Sequence, residues 1–265
     1  MTHITGTLGG VYTGTTLLIE DCEDTWNEQA VAGVTLSVQT GKVGSYCARA
    51  ATVGVGISIL MSEVIAKDLS TYEATYWWAR SSLTTASGDL QVLLDEHANC
   101  ASPDETLNIP ALTANTWKQC FRVFSGATTA RDALISVGLK SAVDLADGTF
   151  DIDDVQALSE VDGIKAWTLD YTVSVLDTTD FADTGTRSIL PGVSQWAGSF
   201  EGLKDGVPLS IGTEYYLVLG ESNTAYQGWV GKAVITGAHP NTAFDGSVTY
   251  SYDFEGTAGL EPPSA

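Results

Sequence analysis

Apolar and polar residues alternate along most of this chain with a period of two, the spacing of a strand with one buried and one wetted face. In Trp167-Thr-Leu-Asp-Tyr-Thr-Val173 the apolar side chains fall at every second position, and Thr168, Asp170 and Thr172 take the other side. Similar short stretches, with turn residues between them, lie at residues 15–19, 34–39, 46–51, 56–61, 75–80, 90–95, 117–123, 133–139 and 150–158. Short strands at this spacing predict a β-sandwich over residues 15–160. Strands at 167–173, 194–202, 214–219, 228–236 and 247–255, with a turn at 206–212, predict a second sandwich or barrel over residues 161–258. Residues 177–193 break the pattern and read as a long irregular loop, a feature that tends to carry function in compact domains. Residues 259–265 read as a flexible tail.

Composition agrees with an all-β fold. The chain has 265 residues, 44% hydrophobic, 17% charged and 27 of them glycine, a turn-rich make-up in which strand formers outweigh helix formers. Twelve basic residues stand against 33 acidic ones, for a net charge of −21. That balance excludes a function based on gripping nucleic acid through counterion release. No run reaches the roughly eighteen apolar residues a membrane span needs, so no membrane insertion is expected. The start Met1-Thr-His-Ile-Thr-Gly-Thr-Leu has no basic region and no signal-peptide core, which predicts synthesis in a cytoplasm. Cys22, Cys47, Cys100 and Cys120 lack Cys-x-x-Cys spacing, which argues against a zinc ribbon or redox motif. They read as buried thiols or, alternatively, as holding a Cys22–Cys47 disulfide formed outside the cell.

Two resemblances organise this pattern. Ile164-Lys-Ala-Trp-Thr-Leu-Asp-Tyr-Thr-Val173, Val175-Leu-Asp-Thr-Thr-Asp-Phe181, Leu190-Pro-Gly192, Trp196-Ala-Gly-Ser-Phe-Glu-Gly-Leu-Lys-Asp-Gly206 and Val248-Thr-Tyr-Ser-Tyr-Asp-Phe-Glu-Gly256 resemble the tail tube (major tail) proteins of long-tailed bacteriophages. In that family a glycine-rich first strand, like Ile4-Thr-Gly-Thr-Leu-Gly-Gly-Val-Tyr-Thr-Gly14, runs almost directly into the Gly-Ile-Lys-x-Trp strand. Here residues 15–160 intervene. Leu18-Ile-Glu-Asp-Cys-Glu-Asp-Thr-Trp26, Gly41-Lys-Val-Gly-Ser-Tyr-Cys47, Asp68-Leu-Ser-Thr-Tyr72, Trp77-Trp78, Leu107-Asn-Ile-Pro-Ala-Leu112, Asn115-Thr-Trp117 and Phe150-Asp-Ile-Asp-Asp-Val155 resemble the galactose-binding-like and carbohydrate-binding jelly rolls. The expected organisation is a tail-tube-like β-sandwich or barrel made of residues 1–14 and 161–258, with a jelly roll inserted at 15–160 and a free tail at 259–265.

The tail-tube resemblance implies a virion subunit, made in a host bacterial cytoplasm. It would form stacked homo-oligomeric rings, hexameric by analogy, alongside other tail proteins and around a lumen for DNA. An acidic wall would give passing DNA nothing to adhere to. The loop at 177–193 would then reach neighbouring subunits, with Asp177, Phe181, Arg187 and Leu190 among the contacts. The jelly-roll resemblance implies a structural calcium ion, Ca2+, near the loop at residues 42–45. Its side-chain ligands come from Glu20, Asp21, Asp153 and Asp154, with Glu20 and Asp153 preferred. Calcium takes about six to eight oxygens, and crowded carboxylates repel without a cation. A solvated acidic edge is the other reading. Alternation sends Trp77 to the core with Thr75 and Ala79, and leaves Tyr76, Trp78 and Arg80 on the outer face. There they either stack on sugar rings of a surface glycan or pack against a loop.

No catalytic constellation is legible. His3, His97 and His239 lie in separate segments, and neither a Gly-x-Ser-x-Gly elbow nor a phosphate-binding loop is present. His97 with Cys100 and Cys120 is the nearest approach to a zinc site and is incomplete. The chain is read as a non-enzyme. Two alternatives stay open: a capsid decoration or fibre protein, and a stand-alone carbohydrate-binding protein.

Overall fold

A computed structural model describes residues 9–14, 17–29, 31–179, 186–222, 227–242 and 246–263. The chain is all-β. Its strands are β1 (Val11–Gly14), β2 (Leu18–Glu20), β3 (Val34–Thr40), β4 (Tyr46–Thr52), β5 (Ser58–Lys67), β6 (Ala74–Ser81), β7 (Leu90–Asp95), β8 (Glu105–Asn108), β9 (Lys118–Val123) and β10 (Leu134–Ser141). They continue as β11 (Gly148–Glu160), β12 (Ile164–Asp177), β13 (Ile189–Leu203), β14 (Glu214–Ser222), β15 (Gln227–Asn241) and β16 (Thr249–Gly256).

The first part forms two facing layers. One holds β3, β4, β11, β6 and β9, and the other has the order β5-β10-β7-β8. Trp77, Ala79, Phe150 and Ile152 from the first layer meet Leu60, Val92, Leu94, Val137 and Leu139 from the second in one buried cluster. Trp77 is fully buried there, as alternation along β6 predicts. All four cysteines are buried free thiols, so Cys22 and Cys47 form no disulfide. Trp117 is only half-buried.

The second part builds on the order β12-β13-β16-β15-β14. Its cluster contains Trp196, Phe200, Tyr215, Leu217, Ile235, Tyr252, Phe254 and Leu260, and Glu261 bridges Val230, so the start of the segment expected as a free tail is docked on the sheet by burial of Leu260. Trp196 lies flat on backbone. A Cβ at Gly256 would sit 2.1 Å from its ring and one at Gly231 2.6 Å away, so only glycine leaves room for the indole. Its Nε1–H donates to the Ala258 carbonyl at 2.7 Å.

The two parts are joined by sheet rather than by a tether. β1 pairs on one side with β14, Tyr12 opposite Val218, and on the other with β11, Tyr12 opposite Glu160. The resulting path β12-β13-β16-β15-β14-β1-β11-β4-β3 is hydrogen-bonded without a break. A further buried cluster sits across this junction: Tyr12, Ala74, Tyr76, Trp78, Phe121, Leu158, Val218 and Val230. Burying side chains of this size stabilises by about 1.5–3 kcal/mol each, so the junction is a core in its own right.

Candidate assembly arm, acidic face and inter-core seam

The segment expected to be an irregular loop, residues 177–193, is strand at its two ends. β12 runs to Asp177 and β13 starts at Ile189, with Leu176 opposite Leu190 and Asp177 opposite Ile189. Pro191 is tolerated in β13 because β16 pairs only with residues 197–203, so that edge needs no N–H from residue 191. Beyond Trp196 the two strands therefore form a ribbon with no third strand beside it among the described residues. Two-stranded ribbons are marginal in water alone. This one is also apolar: Tyr171, Val173, Val175, Leu176, Ile189, Leu190 and Val193 are each about half exposed or more. Tyr171 pairs with the buried Trp196, so Tyr171, Val173 and Val175 prolong the apolar side of the core beyond the core's end, while Leu176 and Leu190 pair on the other face. Asp177 and Arg187 pair at 3.1 Å and are both exposed. Leu190 is exposed beside them. Phe181 lies outside the described residues.

The opposite face of the same sheet is polar. Cross-strand partners share a face, so Asp170, Ala197 and Glu255 form one row, Thr168, Ser199 and Asp253 the next, and Ala166, Glu201 and Ser251 a third. All four carboxylates of these rows are exposed. His239 reaches Asp253 at 2.8 Å, and Thr168 and Ser199 bond through their hydroxyls at 3.0 Å.

The outer face of β6 is not open to a ligand. Tyr76 is fully buried and Trp78 nearly so, both in the junction cluster. The Lys42 ammonium stands 4.6 Å over the Trp78 ring. Arg80 binds Asp151 at 2.7 Å and lies 4.4 Å over the Trp117 ring. Neither aromatic therefore offers a platform to a sugar. Alternation gives the correct face, and that face is covered by the junction cluster together with Lys42 and Trp117.

The predicted calcium residues separate into two groups. Asp154 is fully engaged: its carboxylate accepts the hydroxyls of Tyr76 at 2.5 Å and Tyr216 at 3.0 Å, and the Gln156 side-chain amide at 2.5 Å. Asp21 is exposed and accepts the Glu23 amide. These two do not fit a ligand role. Glu20 and Asp153 remain as candidates. Asp153 is completely buried, and its Oδ2 accepts the Lys42 and Val43 amides at 2.6 and 2.9 Å. Its Oδ1 is buried with no hydrogen-bond partner among the described residues. Such an oxygen is costly to leave unmet. Glu20 lies beside Cys22, accepting its amide at 3.2 Å, and Glu20 and Asp153 both help burial push the Cys22 thiol up.

Burial, with Asp21, Asp24 and Glu63 nearby, pushes the Glu20 carboxyl up to about 7 from 4.5. Burial likewise raises Asp153 to about 6 from 3.8, against the pull of the two loop amides. A raised carboxyl means that the folded state holds its proton more tightly, so this contribution is present at low pH and is lost as pH rises through the folded value. In cation-free buffer, Glu20→Gln is therefore expected to gain stability relative to wild type as pH rises from about 4.5 to about 7. Melting curves at several pH values check this; a constant difference contradicts it.

Sequence reasoning missed one cluster. Asp95, His97 and Asp104 bring one ligand-type atom each within 4.8 Å of one another. Both acids, however, accept amides of their own turn: Asp95 from His97 and Ser102, Asp104 from Glu96. The cluster closes the β7–β8 turn. Cys100 does not join it but bonds Ser136.

No protein-family model matches the chain, and no curated protein matches it. Among solved structures, a chain from the virion of a native gene transfer agent particle is similar over 41% of this chain and 89% of that one, at 16% identity and a TM-score of 0.33. No helix among the described residues is long and apolar enough to cross a membrane.

Proposed function

We propose that this chain is a structural virion protein, the subunit of a phage tail tube that stacks in rings around a lumen for DNA. The observation that carries this reading is the ribbon of residues 171–177 and 189–195, which carries exposed apolar side chains on both of its faces into solvent. A soluble monomer gains nothing from such an arm, whereas a second copy laid against it completes the missing layer. The polar face with Asp170, Glu201, Asp253 and Glu255 suits the lumen, where fixed negative charge keeps DNA moving. Contacts between unlike surfaces of successive copies close into rings or continue as a stack. None of this requires catalysis.

The middle segment is assigned to the outside of the tube, as a stiffening and shielding layer. The unbroken sheet through β1 favours this over glycan adhesion, because Tyr76 and Trp78 support the junction. We further propose that a calcium ion binds at Glu20 and Asp153. Sedimentation of the purified chain tests the main reading. Concentration-dependent growth into very large particles is expected; a discrete monomer or trimer at all concentrations overturns it in favour of a decoration or free-standing module.

A further inference from the structure

Two neighbouring residues of β11 face different tasks. Asp153 holds the loop at Lys42 and Val43 and keeps one buried oxygen without a partner among the described residues. Asp154 ties Tyr76, on β6, to Tyr216, on β14, through a single carboxylate oxygen. Those two rings also pack at 4.6 Å between centroids. Asp154 has φ +51, in the left-handed region that non-glycine residues rarely enter, and the β6–β11 register breaks between Asp153 and Gln156. The bulge aims the two carboxylates independently of the strand's alternation. They are consecutive residues, so the two tasks meet at one peptide bond.

We infer that a divalent cation held by Asp153 and Glu20 tightens the joint between the two cores, acting through Asp154 on Tyr76 and Tyr216. This inference rests on the calcium reading above. Its consequence is reciprocal: if the ion strengthens the joint, weakening the joint from the far side weakens the ion. Tyr216→Phe provides that test, since it removes one hydroxyl from Asp154 and leaves Glu20, Asp153 and the loop at residues 42–45 intact. Tyr76→Phe does the same from β6.

The experiment titrates calcium chloride into the cation-free full chain by calorimetry and follows backbone hydrogen exchange of residues 215–219 with and without calcium. Wild type is expected to bind calcium and to slow exchange in that strand, and both variants to bind about fivefold more weakly or worse. Equal affinity in wild type and both variants, with no calcium-dependent protection, overturns the coupling while leaving the calcium site standing. No binding to wild type removes the calcium reading itself, and the inference with it. Unchanged far-ultraviolet circular dichroism identifies variants that still fold.

Discussion

Replacing Leu176 and Leu190 together with glutamate is expected to give a folded chain that no longer assembles. The two residues face each other across the ribbon and are 58% and 55% exposed in the single chain. In the free subunit the change is worth about 0.5 kcal/mol or less, as at most surface positions. In an assembly it places two carboxylates in an apolar contact without partners, at several kcal/mol each. Because each copy contributes the same contact many times along a tube, the loss should be complete rather than partial. Sedimentation should show only slow material, with the melting temperature held. Tubes that persist in this variant would show that the ribbon is not the contact.

Trp77→Ala is expected to lower the stability of both cores together. Trp77 is fully buried in the middle segment's core and lies opposite Cys120 on β9. Deleting such a side chain costs about 3–5 kcal/mol through lost burial and a residual cavity. Domains typically hold about 5–15 kcal/mol in all. The less obvious expectation is that unfolding stays in one step. β1 is hydrogen-bonded to β14 and β11 at once, and Tyr76, Trp78 and Val218 share a cluster, so neither core melts without exposing the junction. Scanning calorimetry should show one transition, displaced downward. Two transitions of which only one moves would mean that the cores are independent.

Much of this architecture was legible from alternation. Trp77 inward and Trp78 outward follows from a period of two, as does the division of Trp167 and Leu169 from Thr168 and Asp170. What alternation cannot state is what covers a face. Alternation puts Tyr76 and Trp78 on the correct side of β6, yet Tyr76 is covered by Tyr216 on β14, more than a hundred residues away in sequence, and Trp78 by Lys42, so a buried seam resembles an open ligand platform. The ribbon was missed for a related reason. Pro191 and Gly192 are turn residues by local rule, and only the absence of a paired strand on that edge of β13 makes them acceptable there. The acidic residues show the third limit: Asp153 and Asp154 are adjacent and chemically identical, and the backbone at Asp154 alone sends one to the loop and the other to two tyrosines.

The central claim is that copies of this chain close around a channel with one particular sheet face turned inward. Electron cryomicroscopy of the assembled protein tests it most directly. The account predicts rings in which Asp170, Glu201, Asp253 and Glu255 point into the lumen, residues 171–177 and 189–195 lie against another copy, and residues 15–160 stand outside. Rings with those carboxylates facing outward, or particles with no channel at all, would contradict it.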